Sequence, residues 1–123
     1  MDHTQFMREN GIAAFAEADR TAGVIRVEKI GSLEYWSLFQ ELVLYSDAAR
    51  LYESTGSSFP FRIWRQGDTG CLVSQITESL ATALFYERKL DVKAQIDWVE
   101  ELDKKVRALY PQAELPEDVP SKV

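Results

Sequence analysis

The stretch from Thr77 to Tyr110 contains neither glycine nor proline, so no residue in it forces the chain to turn. Its second half carries the clearest helical periodicity of the sequence, in an apolar stripe of Val92, Ile96, Val99, Leu102, Val106 and Leu109. One helix of this length would measure about 50 Å at ~1.5 Å per residue, which exceeds the width of a small domain. We therefore expect two helices, with a break near Leu90 and with Asp91 as the N-cap of the second.

The N-terminal part predicts one helix and one strand. Between Thr4 and Arg20, alanines and larger apolar residues alternate with charged residues at helical spacing, although Gly11 weakens the pattern. Near residues 24–30, apolar and charged residues alternate one by one, which is typical of a strand. We expect a short strand there.

A long helix is expected between this strand and the middle of the chain. Ser32 is a suitable N-cap, and an apolar stripe follows at Leu38, Leu42, Tyr45, Ala49 and Tyr52. Trp36, Phe39, Val43 and Leu44 widen the apolar surface, so the helix should be covered on several sides or contact another chain. Ser46 and Asp47 offer an internal cap. Two helices, over residues 32–44 and 47–54, are therefore the alternative to the single helix that we favour.

Residues 59–76 predict a β-hairpin. Apolar and basic residues alternate over residues 59–65, residues 66–70 include two glycines that can take a positive φ, and residues 71–76 return with β-branched and apolar side chains. The alternation places Phe61, Ile63 and Arg65 on one face of the first strand and Arg62 and Trp64 on the other.

The order of these elements predicts a small α+β domain over residues 1–111. Its sheet would be three-stranded and mostly antiparallel, made of the strand near residues 24–30 and the hairpin 59–76, and packed with four helices. Residues 112–123 include prolines and predict an extended C-terminal tail. A chain of 123 residues that is 46% hydrophobic suffices for one core but is short for two domains.

The sequence contains one histidine, His3, and one cysteine, Cys71. We expect His3 to lie in a frayed end of the chain, which argues against histidine-based acid–base catalysis and against a His or Cys metal site. Cys71 is interpreted as a buried strand residue rather than a nucleophile. A single cysteine forms no intrachain disulfide, which favours a reducing cytoplasm. No catalytic residue, metal ligand or cofactor is predicted, and a non-catalytic role is favoured over an enzyme.

The charge of the chain limits its partners. A formal net charge of −6 disfavours binding to a nucleic-acid backbone and favours basic partners. The first residues carry no basic segment followed by an apolar run, so we expect no secretion signal. The uncharged stretches are also too short to span a membrane.

The last predicted helix carries four neighbouring acids, Asp97, Glu100, Glu101 and Asp103. Three of them precede a lysine or arginine by four residues, as Asp103 precedes Arg107. This spacing favours ion pairs on a solvated helix surface. We expect such pairs here rather than a Mg²⁺ site.

The hairpin is the strongest candidate for a binding surface. Between Gly56 and Ile76 the charged residues are two arginines and one aspartate, so the segment is basic within an acidic chain. Arginine and tryptophan are also the residues that most often anchor protein contacts. Trp98, at the edge of the helical stripe, and Tyr110, which precedes Pro111, are further candidates. The predicted partner-binding residues are Arg62, Trp64, Arg65, Asp68, Trp98 and Tyr110.

We predict a cytoplasmic, non-catalytic protein–protein interaction module, such as an inhibitor, an immunity-type protein or an adaptor. The partner would be another protein, with a basic one fitting the acidic surface and a homodimer as an alternative. The main rival is a small-molecule-binding protein or enzyme, in which an aromatic pocket and Arg62 or Arg65 would hold an anionic ligand.

A winged-helix nucleic-acid binder is the third hypothesis. The hairpin would be its wing and residues 47–54 its recognition helix. That helix would bring Asp47 and Glu53 against a single Arg50, so it would meet phosphates without net positive charge. Charge therefore disfavours this hypothesis.

Overall fold

Five antiparallel strands form one sheet in the computed structural model, which describes residues 3–54 and 61–110. The strands are β1 Ile12–Asp19, β2 Val24–Lys29, β3 Phe61–Gln66, β4 Thr69–Gln75 and β5 Leu80–Glu87. Their order across the sheet is β2-β1-β5-β4-β3, so β2 and β3 are the edge strands. In the interior of the sheet, β1 pairs with the sequence-distant β5, with Phe15 opposite Leu84.

Helices cover both faces of this sheet. One face carries α1 Thr4–Asn10 and α4 Val92–Arg107. The other face carries α2 Trp36–Phe39, its π-helical continuation Gln40–Leu44, and α3 Ala48–Glu53. The sheet is therefore the middle layer of three, and its interior strands are buried on both sides.

The two faces of the sheet differ in the size of their side chains. Toward α1 and α4 the core contains large residues that are at most 2% exposed, including Met7, Phe15, Leu72, Leu84, Tyr86 and Leu102. Toward α2 and α3 the sheet presents Ala14, Ala16, Ala18 and Ala83, beneath Phe39 and Leu51. Small side chains let the short helices on this side approach the sheet closely.

The prediction of a three-stranded sheet is wrong, because β1 and β5 lie where helices were expected. For β1 the error follows from alanine, a strong helix former that here alternates with larger residues. Gly11 ends α1 in the left-handed conformation, with φ 67°. Beyond it, pairing with strands on both sides overrides the local helical preference.

For β5 the error follows from burial on both faces. Ala83 and Phe85 pack toward α2 and α3, whereas Leu84 and Tyr86 pack toward α1 and α4. A strand covered on both sides is apolar throughout, and its spacing is then hard to distinguish from that of a buried helix. The expected break before the last helix is present, and Asp91 caps α4 by accepting a hydrogen bond of 2.8 Å from the Ala94 amide.

The β2 strand and the hairpin of β3 and β4 are confirmed, and Gly67 takes a φ of 61° in the hairpin turn. The single helix favoured between Ser32 and Tyr52 is wrong. The chain breaks before Asp47, which caps α3 through the Arg50 amide at 2.8 Å, as the two-helix alternative predicts. Residues 59–60 and the predicted tail at 112–123 lie outside the described residues.

The winged-helix hypothesis does not match this architecture. The helix assigned to recognition is α3, and its Leu51 is 1% exposed against the sheet. The hairpin assigned as the wing forms one edge of a five-stranded sheet within the described residues.

Candidate interaction surface

Strand β3 brings an arginine and a tryptophan together at one edge of the sheet. Within the described residues β3 pairs on one side only, with β4. Arg62 and Trp64 point to the side of α2, as the alternation predicts, and the Arg62 guanidinium lies 4.6 Å from the centre of the Trp64 ring. Arg62 is exposed, whereas Trp64 is half-buried. This edge therefore offers unpaired backbone groups beside a cation and an aromatic ring.

The stretch that joins α2 to α3 carries exposed apolar groups and lies on the side of the sheet that Trp64 faces. The Ser37 hydroxyl, in α2, donates to the Gln66 side chain at the end of β3 at 2.7 Å. At the other end of the hairpin, the Tyr52 carbonyl in α3 accepts from the Gln75 amide at 3.0 Å. These two bonds place α2 and α3 at opposite ends of the hairpin, on one side of the sheet. Leu44 and Tyr45, in that stretch, are 59% and 71% exposed.

We use the name β3 surface for Arg62, Trp64, Leu44 and Tyr45. The sequence predicts the first two. It assigns Tyr45 to a buried stripe, but the wider turn of the π-helix changes the direction of the residues that follow it. The sequence does contain a signal that part of this segment is exposed. Leu42–Tyr45 are four consecutive apolar residues, and one helix face cannot bury all of them.

Arg65 and Asp68 lie at the turn of the hairpin, where Arg65 acts as an internal clamp. Its guanidinium donates to the side chain of Gln95 in α4 and to the Arg88 carbonyl at 3.1 Å. Its Nε donates to the Gly67 carbonyl at 2.7 Å, and Asp68 lies 3.5 Å away as its ion-pair partner. These bonds join the hairpin turn to α4.

Trp98 belongs to the same end of the molecule. Its ring packs edge-on against Tyr86 at 4.7 Å between centroids, and the Arg88 guanidinium lies 4.7 Å from the Trp98 ring centre. The Tyr86 hydroxyl donates to Gln95 at 3.2 Å, and burial raises the pKa of this phenol above its ordinary value. Sequence reasoning missed Gln95, which lies one turn before the buried Val99 on α4.

The predicted apolar stripe of α4 is buried at Val99, Leu102 and Val106 but not in the first turns of the helix. Val92 and Ile96 were assigned to the core, yet they are 74% and 46% exposed. Gln95 and Asp103 are buried in α4 instead. Their side chains accept hydrogen bonds from the sheet residues Arg65 and Ser74, respectively. These bonds account for polar residues at core positions of α4.

Tyr110 lies apart from the other predicted site residues. Its hydroxyl donates to the Glu17 carboxylate in β1 at 2.6 Å, and its ring lies 6.1 Å from that of His3. Burial, and then the bond to Glu17, raise the pKa of the Tyr110 phenol. The six predicted residues thus lie in three places: the β3 edge, the hairpin turn with α4, and the neighbourhood of Glu17.

The acids of α4 do not form one cluster. Asp97 makes an exposed pair with Lys93 at 3.4 Å, as expected of a solvated surface. Asp103 has the predicted partner, since Arg107 donates a hydrogen bond to it at 2.9 Å. However, Asp103 is buried, and it also accepts a hydrogen bond of 2.6 Å from the Ser74 hydroxyl. Across residues 3–54 and 61–110, no three His, Cys, Asp or Glu side chains gather in a metal-binding arrangement.

The Cys71 thiol is buried in β4, and this burial raises its pKa well above the usual range.

The larger of two described cavities, an open cleft of about 230 Å³, contains Arg8 but no aromatic side chain. The smaller, of about 30 Å³, is lined by Phe15 and Arg26 among others and is too small for an organic ligand. Neither of these two cavities is lined by Arg62 or Arg65, the arginines that the small-molecule hypothesis assigns to an anionic ligand.

The described helices include none with the length and apolar character needed to cross a membrane.

No protein-family model matches the sequence, and no curated protein matches it either. Solved structures of similar fold include two MglB proteins. MglB from Myxococcus xanthus has a TM-score of 0.53 and 7% identity, over 88% of this chain and 90% of that one. The gliding protein MglB from Thermus thermophilus has a TM-score of 0.51 and 15% identity, over 89% and 86% of the two chains. At these identities the likeness concerns the fold, which this chain shares with the two MglB proteins.

Proposed function

We propose that the chain is a non-catalytic protein-interaction module that acts through the β3 surface, and that its first partner is a second copy of itself. The observation that carries this proposal is the position of Arg62 and Trp64 on an edge strand, on the side of the sheet whose helical layer includes the exposed Leu44 and Tyr45. Edge strands associate readily with other strands, because their outer N–H and C=O groups lack partners. The fold shared with the MglB proteins, one of which is named a gliding protein, is compatible with this proposal.

Self-pairing of β3 is geometrically favourable. When two copies of β3 pair about a two-fold axis perpendicular to the sheet, the same face of both sheets lies on the same side. Residues that lie opposite each other across the two strands then differ in number by an even amount. An axis through Ile63 places Arg62 of each copy opposite Trp64 of the other. Each Arg62 would then contact a tryptophan in its own chain and one in its partner.

Charge also favours the β3 edge over the rest of the surface. Two chains of net charge −6 repel one another at long range. Within the described part of the hairpin, Arg62 and Arg65 outnumber Asp68, so the repulsion is weakest there. We propose the cytoplasm as the compartment, since the single cysteine forms no intrachain disulfide.

Sedimentation equilibrium of the purified chain tests the proposal. We expect the wild type to form a reversible dimer. In R62E, two cross-strand contacts worth about 0.5–1 kcal/mol each are lost, so the dissociation constant should rise about tenfold. The matched control is R50E, which changes the same charge on an exposed residue of α3 away from β3.

Circular dichroism should show that both variants remain folded. A wild-type chain that stays monomeric at its solubility limit would overturn the second-copy proposal. A dimer that R62E and R50E weaken equally would overturn the choice of the β3 edge.

A further inference from the structure

His3 is held firmly in the structure, contrary to the expectation of a frayed end. It is 6% exposed, and its ring stacks on Phe15 with centroids 4.2 Å apart and planes 9° from parallel. The Glu28 carboxylate in β2 accepts from the His3 backbone amide at 3.0 Å and from the ring Nδ1 at 2.9 Å. Because an ionised carboxylate only accepts hydrogen bonds, Nδ1 carries a proton.

The other ring nitrogen of His3 has no hydrogen-bond partner among the described protein atoms, although it is buried. Leaving a buried polar nitrogen unpaired is unfavourable, and most such groups bond to protein or to an ordered water. A cavity of about 30 Å³ adjoins this ring and is lined by His3, Phe15, Glu17, Arg26 and Glu28.

A second polar gap borders the same cavity. Glu17 in β1 and Arg26 in β2 face each other across the strand pair, with 3.8 Å between carboxylate oxygen and guanidinium nitrogen. This separation is too long for a direct hydrogen bond, and separations of this kind are commonly bridged by water. The Glu17 side chain is 12% exposed, so bulk solvent reaches it poorly.

We infer that this cavity is a binding site for one buried water molecule, which joins Nε2 of His3 to Glu17 and Arg26. The water would donate one hydrogen bond to Nε2 and one to the Glu17 carboxylate, and accept one from Arg26. Three such partners are typical of buried water. The volume exceeds the ~10–15 Å³ that one water requires and excludes an organic ligand.

The water site connects parts of the chain that are distant in sequence. His3 precedes α1, and its carbonyl accepts from the Met7 amide at 2.9 Å. Glu17 holds Tyr110, beyond the end of α4, at 2.6 Å. A water between His3 and Glu17 therefore ties α1, the β1–β2 pair and the turn after α4 into one hydrogen-bonded unit.

Nuclear magnetic resonance tests this inference on the wild type, because His3 is the single histidine in the sequence and its ring signals are unambiguous. With ¹⁵N-labelled histidine, we expect a protonated Nδ1, an unprotonated Nε2, and a cross-relaxation signal between the ring Hε1 and a long-lived water. A crystal structure should show a density peak at hydrogen-bonding distance from Nε2 and from Glu17 or Arg26.

The variant H3F keeps an aromatic ring on Phe15 but removes both ring nitrogens. We expect a crystal structure of H3F to lack the water peak and its Met7 amide to exchange about tenfold faster, while R8M, a change in α1 outside this cavity, keeps the peak and the slow exchange. A dry cavity in the wild type, or an Nε2 bonded directly to a side chain, would overturn the inference. So would an unchanged water peak in the H3F crystal structure, since the water would then not depend on His3.

Discussion

Replacing Asp103 by alanine should destabilise the protein far more than replacing any exposed acid of α4. Asp103 is 7% exposed and accepts two hydrogen bonds, from the Ser74 hydroxyl at 2.6 Å and from Arg107 at 2.9 Å. Ser74 is fully buried in β4, so these bonds fasten α4 to the sheet. The variant D103A removes the acceptor of both donors.

The loss of stability in D103A depends on the hydrogen-bond partners that remain to Ser74 and Arg107. The Ser74 hydroxyl loses a charged acceptor inside the core, at a cost of about 1–3 kcal/mol. The Arg107 side chain is 25% exposed and still donates to the Gln75 carbonyl at 2.7 Å, so solvent offsets much of its loss. We expect the free energy of unfolding to fall by about 2–4 kcal/mol in D103A.

Urea denaturation of D103A, S74A and the double variant measures this effect and the coupling between the two residues. The coupling energy should be about 1–2 kcal/mol, since each single variant removes the same bond. The matched control is D97A, whose exposed pair with Lys93 should contribute less than about 0.5 kcal/mol. If D103A and D97A lower stability equally, the buried bond to Ser74 contributes nothing and our reasoning fails.

Three further predictions concern the core. In G70A the new Cβ would lie 2.4 Å from the buried Tyr86 ring, so urea denaturation should show a loss of about 1–3 kcal/mol; an unchanged midpoint would contradict this. The Cys71 thiol should react with an aromatic disulfide at least about a hundredfold more slowly in the folded chain than in urea. Burial raises the pKa of the Tyr86 and Tyr110 phenols, so the unfolded chain loses these protons first; stability should fall as the pH rises above 10, and less so in a Y110F variant.

The sequence predicts both edge strands and β4, which follows β3 through a glycine-containing turn, but not the interior strands β1 and β5. Strand β2 and the hairpin strand β3 are partly solvated, so polar and apolar residues alternate and the period of two is visible. The interior strands β1 and β5 are covered on both faces, which removes the polar half of the pattern. Local composition then favours a helix, and only pairing across the sheet decides otherwise.

The candidate surface was predictable in part for a similar reason. The alternation in β3 correctly separates Arg62 and Trp64 from Arg65, because a strand fixes the direction of each side chain. It cannot reveal that Arg65 is bound to Gln95, which lies on another element. The exposure of Tyr45 depends on a π-helical turn, and a pattern built on the period of the α-helix cannot anticipate it.

The pairing of β1 with β5 governs how this chain can fold. The hairpin of β1 with β2 and the meander of β3, β4 and β5 can each form from local contacts. Joining them requires closure of a loop of about 60 residues, between Asp19 and Leu80. Until then, both halves leave an interior strand unpaired. During synthesis on a ribosome, the sheet cannot close before β5 has emerged. The alanine-rich β1 therefore stays unpaired on one side in the nascent chain, and aggregation through this strand would compete with folding.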